Sequence, residues 1–138
     1  MIAFLDTSVI LRFVLDQRPQ LSCWSDIEQA VGSELVEVEC LRVLDRMRLQ
    51  RMLDDEQLAL QRAYAQNLVC EMRLMSLSAR IIHRAKAPFP TTLGTLDALH
   101  LASALLFAEH ETSDFVFATH DAQLANAARA CGLEVADS

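Results

Sequence analysis

Short apolar runs alternate with longer stretches of helical periodicity along this chain. Ile2-Ala3-Phe4-Leu5 and Phe115-Val116-Phe117-Ala118 are unbroken apolar runs bounded by polar residues, and both read as short buried strands. Leu74–Leu77 and Leu133–Val135 are weaker strand candidates. Thr7 and Ser8 can cap a helix running to about Val14, and Pro19 can open a second short helix carrying Trp24. Gly32-Ser33 reads as a break before a helix over 35–49. Asp54-Asp55 caps a long helix over 55–72, rich in Gln, Ala, Leu and Glu. Ser78 starts another through Lys86, and Pro88 and Pro90 then force a loop. Thr95 caps a nearly all-apolar helix to about Ala108, and Asp121–Ala130 is a last helix ended by Gly132.

Apolar strands separated by helices predict an α/β fold with three layers, a short parallel sheet flanked by helices on both faces. At 138 residues the expectation is one domain over 1–138, with no repeat, linker or low-complexity stretch. A 52% hydrophobic content with 3 Gly and 3 Pro fits a compact, helix-rich globule and excludes a fibrous or disordered chain. No apolar run approaches the roughly 20 residues of a membrane helix, and no basic segment precedes the first strand. A cytoplasmic protein is therefore expected. Cys23, Cys40, Cys70 and Cys131 lie far apart, so zinc spacing and a secreted disulfide framework are both unexpected. A net charge of −7 argues against a broad, non-specific grip on nucleic acid.

Four acidic residues stand where a core does not want them. Asp6 ends the first apolar run, and Asp121 follows the run at 115–118. Glu39 lies inside Leu35-Val36-Glu37-Val38-Glu39-Cys40-Leu41, and Asp97 interrupts Thr95-Leu96-Asp97-Ala98-Leu99-His100-Leu101-Ala102. An ionised carboxylate in such surroundings is costly unless paired, hydrogen-bonded or metal-bound. Asp6 and Asp121 both follow strands, which places them on one edge of a parallel sheet, where such folds bind ligands. Asp97 lies in the first turn of a buried helix, where the helix dipole favours an anion. Each has a plainer role open to it. Asp6 and Asp121 can serve as helix caps, Asp97 can complement a dipole, and Glu39 can be a surface residue. On the helix over 35–49, Val36, Cys40, Val43, Leu44 and Met47 form the apolar face. Glu39 and Glu37 border its two sides, and periodicity does not choose between them. Arg42 shares the Glu39 side and can pair with it.

Taken together, the carboxylates suggest one pocket for a hard divalent cation, Mg²⁺ or Mn²⁺ rather than zinc. Asp6 and Asp97 are expected to hold it directly, with Glu39 and Asp121 completing the shell directly or through water. The Thr7 and Ser8 hydroxyls are candidates for positioning a phosphate or a water, or are caps. His100 shares a helix face with Asp97 and is either a partner for a ligand carboxylate or a satisfied core histidine.

At these residues the chain resembles the PIN-domain ribonucleases and, within them, the VapC toxins of bacterial toxin–antitoxin pairs. Phe4-Leu5-Asp6-Thr7-Ser8-Val9-Ile10-Leu11 is similar to the family's strand–Asp–Thr/Ser opening. Ser33-Glu34-Leu35-Val36-Glu37-Val38-Glu39-Cys40-Leu41-Arg42-Val43-Leu44 resembles its second block, and that alignment picks Glu39. Leu93-Gly94-Thr95-Leu96-Asp97-Ala98-Leu99-His100-Leu101-Ala102-Ser103-Ala104 is the nearest match. Thr119-His120-Asp121-Ala122-Gln123-Leu124, then Ala127-Ala128-Arg129-Ala130-Cys131-Gly132-Leu133, resembles the last. Gly94 stands where many relatives carry Arg, so one local phosphate contact is expected to be missing.

The resemblance implies a metal-dependent endoribonuclease acting on RNA phosphodiesters, held inactive by a small VapB-like antitoxin and forming a homodimer. It also implies that Trp24, with Leu21 and Ile27, lines a groove for the antitoxin; the spacing alone fits core equally well. Arg42, Arg46, Arg84 and Lys86 are candidates for RNA contact, against a plainer role as solvated helix faces. Two other readings keep the fold: a housekeeping PIN nuclease without antitoxin, and a non-catalytic interaction module that tolerates loss of the acids. Short length and the lack of accessory domains favour the toxin.

Overall fold

The computed structural model describes residues 1–136. In chain order its elements are β1 (Ile2–Leu5), α1 (Thr7–Val14), β2 (Gln29–Ser33), α2 (Leu35–Leu49), α3 (Asp55–Cys70), β3 (Arg73–Met75), α4 (Ala79–Lys86), α5 (Thr95–His110), β4 (Phe115–Ala118), α6 (Ala122–Ala130) and β5 (Val135–Ala136). All strand pairs are parallel, in the order β3-β2-β1-β4-β5. This is the three-layer α/β architecture that the alternation of apolar runs and helical patterns predicts.

The pleat of β1 explains the layers. Ala3 and Leu5 point to one face, where they join Val9, Ile10 and Val14 of α1, Val36, Cys40 and Leu44 of α2, and Ala65 and Val69 of α3. Phe4 points to the other face, toward Leu101, Ala104 and Phe107 of α5 and Leu124, Ala127 and Ala128 of α6. Phe4 stacks on Phe117 of β4 with ring centroids 5.9 Å apart. A strand covered on both faces must be apolar at every position, which is why β1 and β4 read as unbroken runs. Helix α4 packs on α5 through Ile81, Ala102 and Leu106.

From β1 the chain steps outward to β2 and β3, then returns to the other side of β1 for β4 and β5. The strand order thus reverses between β1 and β4, and a crevice opens at their carboxyl ends, the usual ligand site of an open parallel sheet. Leu5 pairs with Ala118 in register, and Asp6 N donates to Ala118 O at 3.0 Å. Asp6 and Thr119 therefore leave the sheet side by side.

Several boundaries differ from the sequence expectation. Gln29–Ser33 is a strand pairing with β1 and β3, not merely a break before a helix. Its polar ends and glycine hide it from periodicity, and Gly32 has a packing reason. A Cβ there would meet Met72 Cε at 2.9 Å and Leu5 O at 3.2 Å. The helix expected to open at Pro19 is reduced to one 3-10 turn, Trp24–Asp26, because the chain must extend immediately afterward to enter the sheet. α5 is capped by Gly94 rather than Thr95 and runs on to His110, and α3 ends at Cys70. β3 and β5 sit at 73–75 and 135–136, where pairing with β2 and β4 fixes them. The capping of α3 by Asp54 is as expected: Asp54 Oδ1 accepts from Gln57 N at 2.7 Å, and Gln57 Oε1 accepts from Asp54 N at 2.9 Å.

Candidate active site

Asp6 is the N-cap of α1 and is 5% exposed. Its Oδ1 accepts from Ser8 N at 3.0 Å, the plain capping role. Its Oδ2 accepts from Ser8 Oγ at 2.8 Å and from the Thr119 hydroxyl. Thr119 Oγ1 in turn accepts from Asp121 N at 3.0 Å, and Ser8 Oγ accepts from His120 N at 2.9 Å. The turns after β1 and β4 are thus tied together through two hydroxyls. Asp121 caps α6, its Oδ1 accepting from Leu124 N at 2.9 Å. Both aspartates fill their capping roles, and both stand at the crevice.

Glu39 reaches the same crevice from α2. Its Oε1 accepts from Thr7 Oγ1 at 3.1 Å and pairs with His100 Nε2 of α5. Thr7 Oγ1 is also 3.4 Å from His100 Nε2. Of the two α2 acids left open, Glu39 is the one that meets Thr7 and His100, while Glu37 borders a groove with Gln66, Asn67, Cys70 and Met72. Arg42 does not pair with Glu39. It lies 3.3 Å from Asp45, the carboxylate that Arg48 also holds at 2.9 Å, since those groups share the solvated side of the helix. Burial works to depress the His100 pKa, but the hydrogen bond and charge of Glu39, with the charges of Asp6 and Asp97, outweigh it and raise it. His100 is thus a buried partner to Glu39 rather than a fully satisfied core histidine, since its Nδ1 has no partner among the described residues. Burial and the charge of Arg12 push the His120 imidazole down.

Asp97 stands in the first turn of α5, half-buried, and no described residue hydrogen-bonds its carboxylate. Burial raises its pKa from the ordinary aspartate value. The charges of Asp121, Asp6 and Glu39 push the same way, against a smaller opposing effect of His100. Asp97 thus feels the other three acids, which arrive from the ends of β1 and β4 and from α2. Burial, followed by the charges of Glu39, Asp6 and Glu37, also pushes the Cys40 thiol up to about 12.

All the donors here are hard oxygens, the chemistry that Mg²⁺ or Mn²⁺ prefers. Among the described residues, no three His, Cys, Asp or Glu side chains form a ready-made metal cluster. Mg²⁺ keeps several waters and is commonly bound by one or two carboxylates plus substrate phosphate, not an all-protein cage. Asp97, without a hydrogen-bond partner among the described residues and burdened by neighbouring acids, is a carboxylate that a cation would relieve.

Thr7 and Ser8 spend their hydroxyl hydrogens on Glu39 and Asp6. Sequence reasoning assigns Thr119 no role. Its signal is its place one residue past an apolar strand, just as Asp6 stands one residue past the strand paired with it. Of the basic candidates, Arg46 and Lys86 are exposed, and Arg84 lies over the Phe89 ring at 4.4 Å from its centroid. Lys86 and Phe89 border a groove of about 550 Å³ that reaches Thr95 and Ala98 beside Asp97. Trp24 is half-buried and stacks on Phe13 with centroids 4.2 Å apart, while Leu21 is buried in the core below it. No described helix is long and apolar enough to cross a membrane.

One family model, described as the PIN domain, matches residues 3–130 and so takes in all four acids. No curated protein matches the chain.

Proposed function

Because the chain belongs to the PIN-domain family, whose domains are generally nucleases, we propose that it is a Mg²⁺- or Mn²⁺-dependent endoribonuclease. It hydrolyses RNA phosphodiester bonds in the cytoplasm as the toxin of a VapBC-type toxin–antitoxin pair. The observation that carries the enzymatic reading is Asp97, a carboxyl without a hydrogen-bond partner among the described residues and burdened by Asp121, Asp6 and Glu39. Asp6 and Asp97 would hold the cation, with Glu39 and Asp121 completing its shell directly or through water. When bound, the cation supplies a Lewis acid for the phosphate and lowers the pKa of a water.

The chain's own residues do the positioning. Ser8 and Thr119 fix the Asp6 carboxylate on one side, and Thr7 and His100 fix Glu39 on the other. Such pre-set geometry lets the acids act without reorganising when substrate arrives. Lys86 and Arg84, at the end of a helix that carries no acidic residue, offer positive charge to an RNA strand crossing Asp97. Arg46 and Arg42 on α2 are the second candidates for such contact. The toxin reading is supported by the order of the four sequence blocks that resemble VapC. A VapB-like antitoxin and a second copy of the chain are the proposed protein partners, and exposed Ile82 and Leu96 supply apolar surface for association.

The test is RNA cleavage with Mg²⁺, with Mn²⁺ and in excess EDTA, comparing the intact chain with Asp97→Asn. Cleavage should need the metal and be lost in the variant. Cleavage at full rate in EDTA overturns the metal mechanism. Growth arrest on induction of both forms overturns catalytic toxicity.

A further inference from the structure

His100 is 0% exposed, yet it carries a polar ring from α5 into the core. A buried polar group is costly unless it makes a hydrogen bond. Its Nδ1 is buried with no partner among the described residues, so the polar contacts of this ring run through Nε2. That nitrogen meets Glu39 Oε1, with Thr7 Oγ1 beside it at 3.4 Å. Since a carboxylate only accepts, Nε2 carries the hydrogen. Three elements meet here: α5 from one layer, α2 from the other, and the first residue of α1 at the sheet edge. Glu39 Oε1 thus takes two donors, while no described residue hydrogen-bonds Oε2.

We propose that His100 is the positioning residue for Glu39, clamping Oε1 together with Thr7 so that Oε2 is left to serve as the ligand. A long, flexible glutamate at the edge of an apolar helix face has many rotamers, and only a partner fixed in the core selects one. His100 is such a partner, because its ring is enclosed and its backbone lies inside a regular helix. Residues that orient a metal ligand without touching the metal typically change affinity about 10–100-fold when removed. The inference rests on the reading of the four acids as a cation site.

The experiment is Mn²⁺ binding to the whole chain by isothermal titration, without RNA. His100→Leu, which keeps bulk but has no donor, should weaken binding about tenfold or more. His100→Gln, which keeps an N–H, should bind more tightly than His100→Leu. In a Glu39→Gln background, His100→Leu should change Mn²⁺ affinity no further. Should His100→Leu not fold, Thr7→Val removes the other donor to Oε1 without changing shape and should weaken binding severalfold. Wild-type affinity in His100→Leu overturns the clamp, as does a loss that persists undiminished beside Glu39→Gln or is equal in the Gln variant. With an unfolded His100→Leu, wild-type affinity in Thr7→Val does the same. An intact chain that binds no Mn²⁺ overturns the cation site itself, and the clamp with it.

Discussion

Thr119 donates its hydroxyl hydrogen to Asp6 Oδ2 across 113 positions of sequence, at the point where the strand order reverses. The same hydroxyl accepts from Asp121 N at 3.0 Å. One buried side chain therefore sets the carboxylate after β1 and the turn that carries the carboxylate after β4.

Replacing that hydroxyl by a methyl tests the link. Thr119→Val keeps the shape but strips one donor from Asp6 and leaves the Asp121 amide without its acceptor. Thr119 is 4% exposed, so water cannot readily substitute. An unmade buried hydrogen bond costs about 1–3 kcal/mol, and a loss of that size is expected in urea unfolding, together with reduced RNA cleavage. Wild-type stability in Thr119→Val would show that the hydroxyl is dispensable.

Asp97 gives a pH-dependent prediction. Its pKa is raised in the folded protein by burial and by Asp121, Asp6 and Glu39, so the folded state holds this proton more tightly than the unfolded chain does. Stability on this account is present below the unfolded pKa of about 4 and is lost as pH rises through the folded value. In EDTA at pH 7, Asp97→Asn should therefore be more stable than the intact chain, and the gap should close as pH falls toward about 4. Adding Mn²⁺ should favour the intact chain instead, because binding stabilises by mass action. Urea midpoints at several pH values, with and without metal, read this directly. An Asn variant less stable than the intact chain at pH 7 in EDTA sinks the account.

The two central strands were legible because burial on both faces demands an unbroken apolar run, as in Ile2–Leu5 and Phe115–Ala118. β2 was not, because Gln29 and Ser33 are polar and Gly32 exists for a close approach that only tertiary structure reveals. The sequence alone placed Asp6 and Asp121 on one sheet edge, since each follows a strand. It left Glu39 and Glu37 open, because both flank the apolar face of α2. The contact that distinguishes Glu39 in the fold comes from His100, 61 positions away, which periodicity does not reveal. Arg42 went to Asp45 rather than Glu39, a choice between neighbours on one helix that spacing does not make.

The four free cysteines should separate by reactivity. The attacking species is the thiolate, and Cys40 is held up to about 12 by burial and by Glu39, Asp6 and Glu37. Cys70 is exposed at the end of α3. In native protein at pH 8, a disulfide reagent should modify Cys70 first and Cys40 only on unfolding, as peptide mass mapping would record. Early labelling of Cys40 would mean that the floor beneath the acids opens far more readily than its packing implies.

Gly32→Ala tests why β2 carries a glycine at all. The added Cβ would stand 2.9 Å from Met72 Cε and 3.2 Å from Leu5 O. The Met72 side chain is flexible and can give way, but Leu5 O belongs to the backbone of β1, one residue before Asp6. Relief therefore requires β1 and β2 to part slightly at the very end that holds the acids. Overpacking of this kind costs about 1–3 kcal/mol. The same displacement should lower RNA cleavage by more than the lost stability explains, measured where the variant remains fully folded. A variant that is destabilised yet cleaves normally would show that Met72 alone absorbs the strain and that the sheet edge does not move.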